Sequence, residues 1–257
     1  MFKGFKVDLY LKEDAIFEKF YRIGIESYEQ YKSEIKKTLD SFLFHDGSLN
    51  GSKIQENWFP DLNFDLFISH SHKNQKLAIY LAGWLESRFN IKSFVDSCIW
   101  GNSEDLLQTI NDNYSWSSPL KETYSYNQVN FASSHVHMML STALSMMMDK
   151  TECLFFLRTP QSVKPYKDLD LTDSPWIYAE IAISKTLREN IPDRLKKLPL
   201  TESRKIFASA DQEKKLKINY NLDLSHLVFL NYETIFNKWA KGKYNNKFEA
   251  LNALYEL

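Results

Sequence analysis

Residues 63–97 read NFDLFISHSHKNQKLAIYLAGWLESRFNIKSFVDS, and this stretch decides the fold. Phe64 to Ser69 is a short apolar run with Phe64, Leu66 and Ile68 on one alternating face and Phe67 on the other. A strand that is apolar on both faces belongs inside a sheet covered on two sides. Ser69 to Asn74 is a polar break. Leu77, Tyr80, Leu81, Trp84 and Leu85 then recur at the spacing of one buried helical face, and Asn90 closes the helix. Ile91 to Asp96 reads as a second strand. Strand, helix and strand in this order predict an α/β fold with a parallel sheet flanked by helices. Such sheets bind ligands beyond the carboxyl ends of their strands. Here those ends are Ser69–His70–Ser71–His72 and Asp96–Ser97.

Outward from this unit, residues 1–60 read as a helical N-terminal extension, with residues 61–257 as the main domain and Pro60 near the boundary. Tyr28, Tyr31, Ile35, Leu39 and Phe42 fall at steps of three and four, as in an amphipathic helix that packs on the domain or serves self-association. Gly47 and Gly51, among Asp46, Ser48, Asn50 and Ser52, mark a loop. Beyond the second strand, Ser103, Glu104 and Asp105 suit the start of a short helix, and residues 113–134 read as an insertion or mobile loop. Val136 to Met148 predicts a buried, Met-rich helix, Glu152 to Arg158 a third buried strand and Thr159 to Asp173 a loop. Ser174 as N-cap and Pro175 at the first helical position open a helix running to about Leu187. Ile206 to Ala208, the alternation through Leu216, Ile218, Tyr220 and Leu222, and Leu227 to Asn231 read as further strands; Thr234 to Leu257 reads as a closing helix.

Composition narrows the function. A formal net charge of -1 gives no global attraction to nucleic acid or anionic membrane, and the Lys- and Arg-rich segment 185–217 reads as a solvated face. No apolar run approaches the roughly 20 residues of a membrane span. Cys98 and Cys153, both beside apolar sequence, read as reduced thiols of a cytoplasmic protein. His70 and His72 form an H-x-H, half of a metal motif whose usual Asp and third His are replaced by Lys73-Asn74-Gln75. His135 and His137, two apart on a helix, do not face each other. No metal is expected.

The helix from Ser174 carries the stronger signal. At about 100° per residue, Trp176, Ile177, Ile181, Ile183, Ser184 and Leu187 share one arc, and Glu180 falls inside it. A carboxylate on a buried face is costly unless paired or protonated. It either bonds a backbone amide or an arginine, or works at a cleft.

The runs FDLFISHSHKN, LAIYLAGWLE, FVDS and SPWIYAE, in this order, resemble a bacterial Toll/interleukin-receptor (TIR) domain across residues 63–231. The long segment between the second and third strands and residues 1–60 depart from a minimal domain of that kind. The resemblance implies a flavodoxin-like sheet and cleavage of the nicotinamide–ribose bond of NAD, with Glu180 as the catalytic residue. Loss of nicotinamide leaves an oxocarbenium-like ribose, which a nearby carboxylate stabilises. It also implies that Ser69, His70 and Ser71 meet ribose or phosphate, that Asp96 is a second polar contact or a cap, and that Trp100 or Trp176 stacks on a substrate ring or packs in the core. NAD is then substrate rather than cofactor. Self-association through the loop Cys98 to Ser103 is expected, and the implied setting is antiphage defence. A TIR-like scaffold without chemistry is the alternative.

Overall fold

The computed structural model describes residues 1–29, 38–100, 102–167, 169–195 and 219–257. Its elements are β1 (Lys3–Asp8), α1 (Ala15–Glu29), α2 (Gly51–Trp58), β2 (Leu66–Ser69), α3 (Gln75–Phe89), β3 (Ser93–Phe94), α4 (Asp96–Ile99), α5 (Ser103–Tyr114) and α6 (Tyr126–Lys150). There follow β4 (Cys153–Leu157), β5 (Lys164–Tyr166), β6 (Leu169–Thr172), α7 (Pro175–Thr186), β7 (Tyr220–Asn221), β8 (Val228–Asn231) and α8 (Lys247–Tyr255). Five strands form a parallel sheet in the order β3-β2-β4-β1-β8, flanked by helices. All four residues of β2 and all five of β4 are buried, as central strands covered on both faces require.

The N-terminal extension expected over residues 1–60 is corrected. Lys3–Asp8 pairs with β4 on one side and β8 on the other, and Phe5 and Val7 are fully buried. Counted from β2, the first three places read 2-1-3 as in a doubly wound sheet, the N-terminal β1 takes the fourth place and β8 the fifth. A boundary at Pro60 would separate a strand from both of its partners.

α1 is equally integral, because it lies along α3 with the two backbones in near contact. A Cβ on Gly83 would stand 2.1 Å from the Phe20 carbonyl oxygen and 2.5 Å from the Gly24 nitrogen, so both helices use glycine where they cross. Held between α1 and the sheet, α3 buries Ala78, Ile79 and Ala82 besides Tyr80, Leu81, Trp84 and Leu85. The amphipathic pattern from Tyr28 is redrawn: Tyr28 lies in the last turn of α1, Leu39–Phe42 is a single 3-10 turn, and Tyr31 and Ile35 lie outside the described residues.

Other segments depart from the sequence pattern for local reasons. Gly51 opens α2 under the Asn50 cap rather than extending a loop. Much of 113–134 is helical, because α6 begins at Tyr126; Trp116 and Tyr124 bridge the turn before it. Thr159 to Asp173 contains the antiparallel pair β5–β6, and β7 adds to it. β8 is a half-exposed edge strand. The closing helix is broken: a π-helical turn at Glu233–Lys238 and a 3-10 turn at Trp239–Lys241 precede α8. Ile206 to Ala208, Leu216 and Ile218 lie outside the described residues. Among the described residues, no helix is long and apolar enough to cross a membrane.

Candidate functional site

From β2 the chain steps outward to β3 and returns to β4 on the other side of β2. In doubly wound sheets such a reversal marks the carboxyl ends of the flanking strands, here β2 and β4, as the place where ligands bind. Ser69 ends β2 there, fully enclosed. The loop after β2 and the loop after β4 meet where the Thr159 hydroxyl donates to Asn74 Oδ1 at 2.7 Å.

α7 reaches the same edge of the sheet after the β5–β6 pair. Its start is set locally: Ser174 Oγ accepts from the Ile177 amide at 3.3 Å, and Pro175 occupies the first turn. One turn beyond Trp176, Glu180 turns inward and is only 4% exposed. The Ser69 hydroxyl donates to Glu180 Oε2. Among the described residues no lysine, arginine or histidine pairs with this carboxyl. Burial pushes Glu180 up from the usual carboxylate range to about 8, the negative charge of Asp96 adds to the rise, and the Ser69 hydrogen bond opposes it.

Asp96 opens α4 just beyond β3, its side chain 40% exposed, with Oδ1 4.0 Å from His70 Nδ1. His70 Nδ1 is also 3.3 Å from the Ile68 carbonyl oxygen, and Nε2 is 3.4 Å from Ser97 Oγ. Gln75 Nε2 donates to Ser97 Oγ at 3.1 Å and so continues this network into α3. The structure thus brings together Glu180, Ser69, His70 and Asp96.

The remaining candidates fare differently. Ser71 lies in the turn after β2, where its carbonyl accepts from the Asn74 amide at 2.7 Å, and its hydroxyl makes no contact with the cluster among the described residues. Of the two roles open to Trp100, stacking or packing, the structure shows the packing contacts. Trp100 is buried between Phe59 and Phe94, with its indole N–H donating to the Pro60 carbonyl at 3.1 Å. Trp176 is half-buried at the head of α7, edge-on to His137 of α6 at 5.6 Å.

Some polar groups gave no signal in the sequence. Arg158, at the end of β4, bridges Asp8 at 3.3 Å and Asp170 at 3.1 Å, tying β6 to the carboxyl edge of the sheet. Ser184, one turn beyond Glu180 on α7, lies 2.8 Å from His226 Nε2, and burial holds His226 below its usual range. Only proximity in the fold marks these groups, since none sits in a recognisable spacing. Among the described residues, no three His, Cys, Asp or Glu side chains are arranged to hold a metal ion.

Comparison of the chain with protein-family models, with curated proteins and with solved structures finds no match in any of the three. The functional reading therefore rests on the site and on the motifs that surround it.

Proposed function

We propose that this chain is a TIR-like enzyme that cleaves the nicotinamide–ribose bond of NAD, with Glu180 as the catalytic carboxyl. One observation carries the reading: Glu180 is enclosed at the carboxyl end of a central parallel strand, bonded by Ser69 and paired with no cation among the described residues. A carboxyl raised by burial costs stability whenever it ionises, and such groups concentrate at sites of chemistry.

The bond from ribose C1′ to the nicotinamide nitrogen breaks, and its electron pair leaves with nicotinamide, whose ring charge is thereby neutralised. The positive charge passes to the ribose. Glu180 as carboxylate stabilises it electrostatically, and Ser69 orients the carboxylate. Water adds to C1′ and releases a proton, giving ADP-ribose; attack by another group of the same molecule gives a cyclic form. The cationic nicotinamide ring of an arriving substrate itself favours ionisation of Glu180, so the carboxylate forms when it is needed. His70 and Asp96 lie beside Ser69, in reach of ribose hydroxyls.

Incubation of the purified chain with NAD, followed by chromatography, tests the reading. Nicotinamide and ADP-ribose, or a cyclic isomer, are expected, at a rate unchanged by EDTA. The rate per mole should rise with protein concentration, since self-association through Cys98 to Ser103 completes the site. The cellular setting is cytoplasmic antiphage defence. The second reading, a TIR-like scaffold without chemistry, takes Glu180 as a neutral acid packed in a closed core and held by Ser69 alone. It expects NAD to remain intact at every protein concentration.

A further inference from the structure

Away from Glu180, the segments that follow β1 and β8 line a cavity of about 330 Å3. Its walls are aromatic: Phe17 and Phe20 of α1, Tyr80 and Trp84 of α3, and Tyr232 and Phe236 after β8. A volume of this size is at the lower end of the range for small-ligand sites, about 300–1,000 Å3. Around the mouth, Tyr10 is 77% exposed and Tyr232 49%.

Three polar residues line this aromatic setting, Tyr80 buried and Lys12 and Asp14 at its exposed rim. Tyr80 is 5% exposed and lines the cavity, and among the described residues its hydroxyl makes no hydrogen bond. Burial, with Tyr232 and Asp14 nearby, pushes that hydroxyl up to about 12, so it stays protonated and able to donate. Asp14 caps α1 through Oδ1 alone, accepting from the Ile16 and Phe17 amides at 2.9 Å, and its other oxygen has no partner among the described residues. Lys12, also on the lining, has no carboxylate partner among the described residues.

Phe17, Phe20, Tyr80, Trp84 and Phe236 pack on one another and form an apolar floor, while the exposed rings of Tyr10 and Tyr232 at the rim leave faces for a ligand. With a donor, an acceptor and an ammonium beside them this matches a purine mononucleotide: a rim ring stacks on the base, Tyr80 and Asp14 meet ring nitrogens and the exocyclic amine, and Lys12 meets phosphate. The location agrees. Dinucleotides lie across the carboxyl edge of doubly wound sheets, one mononucleotide on each side. β1 and β8 are two and three strands from β2, about 10 and 14 Å at the usual strand spacing. We propose that the cavity between α1, α3 and the carboxyl ends of β1 and β8 binds the adenylate half of the dinucleotide whose nicotinamide half meets Glu180. The identity of the whole ligand rests on the NAD-cleaving reading; the cavity's preference for adenylate is testable without it.

Isothermal titration of AMP into the full chain should give saturable binding. Tyr80→Phe should weaken it about fivefold by removing one hydrogen bond, and Tyr232→Ala about tenfold by removing a stacking face. Circular dichroism and melting should match the parent chain in both. KM for NAD should rise by the same factors, while KM for nicotinamide mononucleotide, which lacks the adenylate half, stays unchanged. Absence of AMP binding, or binding indifferent to both substitutions, overturns the inference. A self-associated form that dissociates in Tyr232→Ala without any AMP binding would assign the aromatic rim to a second copy of the chain, which also overturns it. If NAD is not cleaved, the reading of Glu180 fails, and the AMP titration still decides the cavity.

Discussion

Glu152 and Glu180 stand at opposite ends of one parallel sheet, and the protein treats the two carboxyls differently. Glu152 precedes β4 at the amino end. Arg194 donates to both of its oxygens, and the Tyr255 hydroxyl adds a bond at 2.6 Å. Glu180 packs against the end of β2 with a single neutral donor, Ser69, and the repulsive charge of Asp96 nearby. The first carboxylate is compensated as a structural charge must be when it leaves water. The second is not, and the uncompensated one lies where ligands enter such a sheet. Glu152, its side chain 19% exposed, keeps a counter-charge, and the more deeply buried Glu180 has none among the described residues; that combination marks the candidate site.

The largest expected effect tests the functional half of this contrast. Glu180→Gln keeps the shape and the acceptor for Ser69 but removes the charge. NAD cleavage should fall by at least about a hundredfold, the scale of losing one electrostatic stabiliser, while the melting temperature stays level or rises. Retained turnover would remove Glu180 from the chemistry. An early-melting Glu180→Gln would put it in the same structural class as Glu152.

Glu152→Gln should behave in the opposite way. It leaves Arg194 without its anion, so chemical denaturation should show a loss of about 2 kcal/mol, with turnover per folded molecule unchanged.

The pH dependence sharpens the difference further. Glu180 titrates at about 8 in the folded chain against an ordinary value of 4.5. Between those values the folded state holds a proton that the unfolded state has released. Its contribution to stability is thus fully present below about 4.5 and is lost as pH rises toward 8. The stability difference between the parent chain and Glu180→Gln should change by up to about 1.4 kcal/mol per pH unit across that window and level off above it. kcat/KM should rise through the same region, because the carboxylate is the working form. A flat profile from pH 5 to 9 would contradict both.

Ser69→Ala should have the smallest effect. Ser69 favours the ionised form of Glu180, so its loss moves the rising limb of the pH profile upward. Activity at neutral pH should fall about three- to tenfold, with about 1 kcal/mol lost in stability. Ser69→Thr, which keeps the hydroxyl, should restore the profile.

Parts of this arrangement are legible in the sequence. The unit β2–α3–β3 announces itself because its pattern is local: two short apolar runs around a helix with a polar turn after Ser69. β3 is shorter than its apolar run predicts, and Asp96 begins α4 instead of ending the strand. α7 is equally legible, since Ser174 and Pro175 set its start and the helical period places Glu180 inward. Trp100 stays open in sequence, because an aromatic beside a strand end looks alike whether it lines a cleft or packs under a loop; its contacts with Phe59, Phe94 and the Pro60 carbonyl are the packing ones.

The sequence by itself determined those elements whose physics is local, namely helix caps, apolar periodicity and the polar break at the end of β2. It also determined that Glu180 would face inward, because the helical repeat is a property of α7 alone. Tertiary structure decided the rest. KGFKVD at residues 3–8 carries no mark of its neighbours, and only long-range pairing puts it between β4 and β8. Whether an inward carboxyl meets an arginine, as Glu152 does, or a serine hydroxyl, as Glu180 does, depends on chain segments more than a hundred residues apart for the latter pair. Hydrogen bonds and ion pairs of that span follow from how the strands are ordered, and strand order is settled by packing of the whole sheet rather than by any one segment.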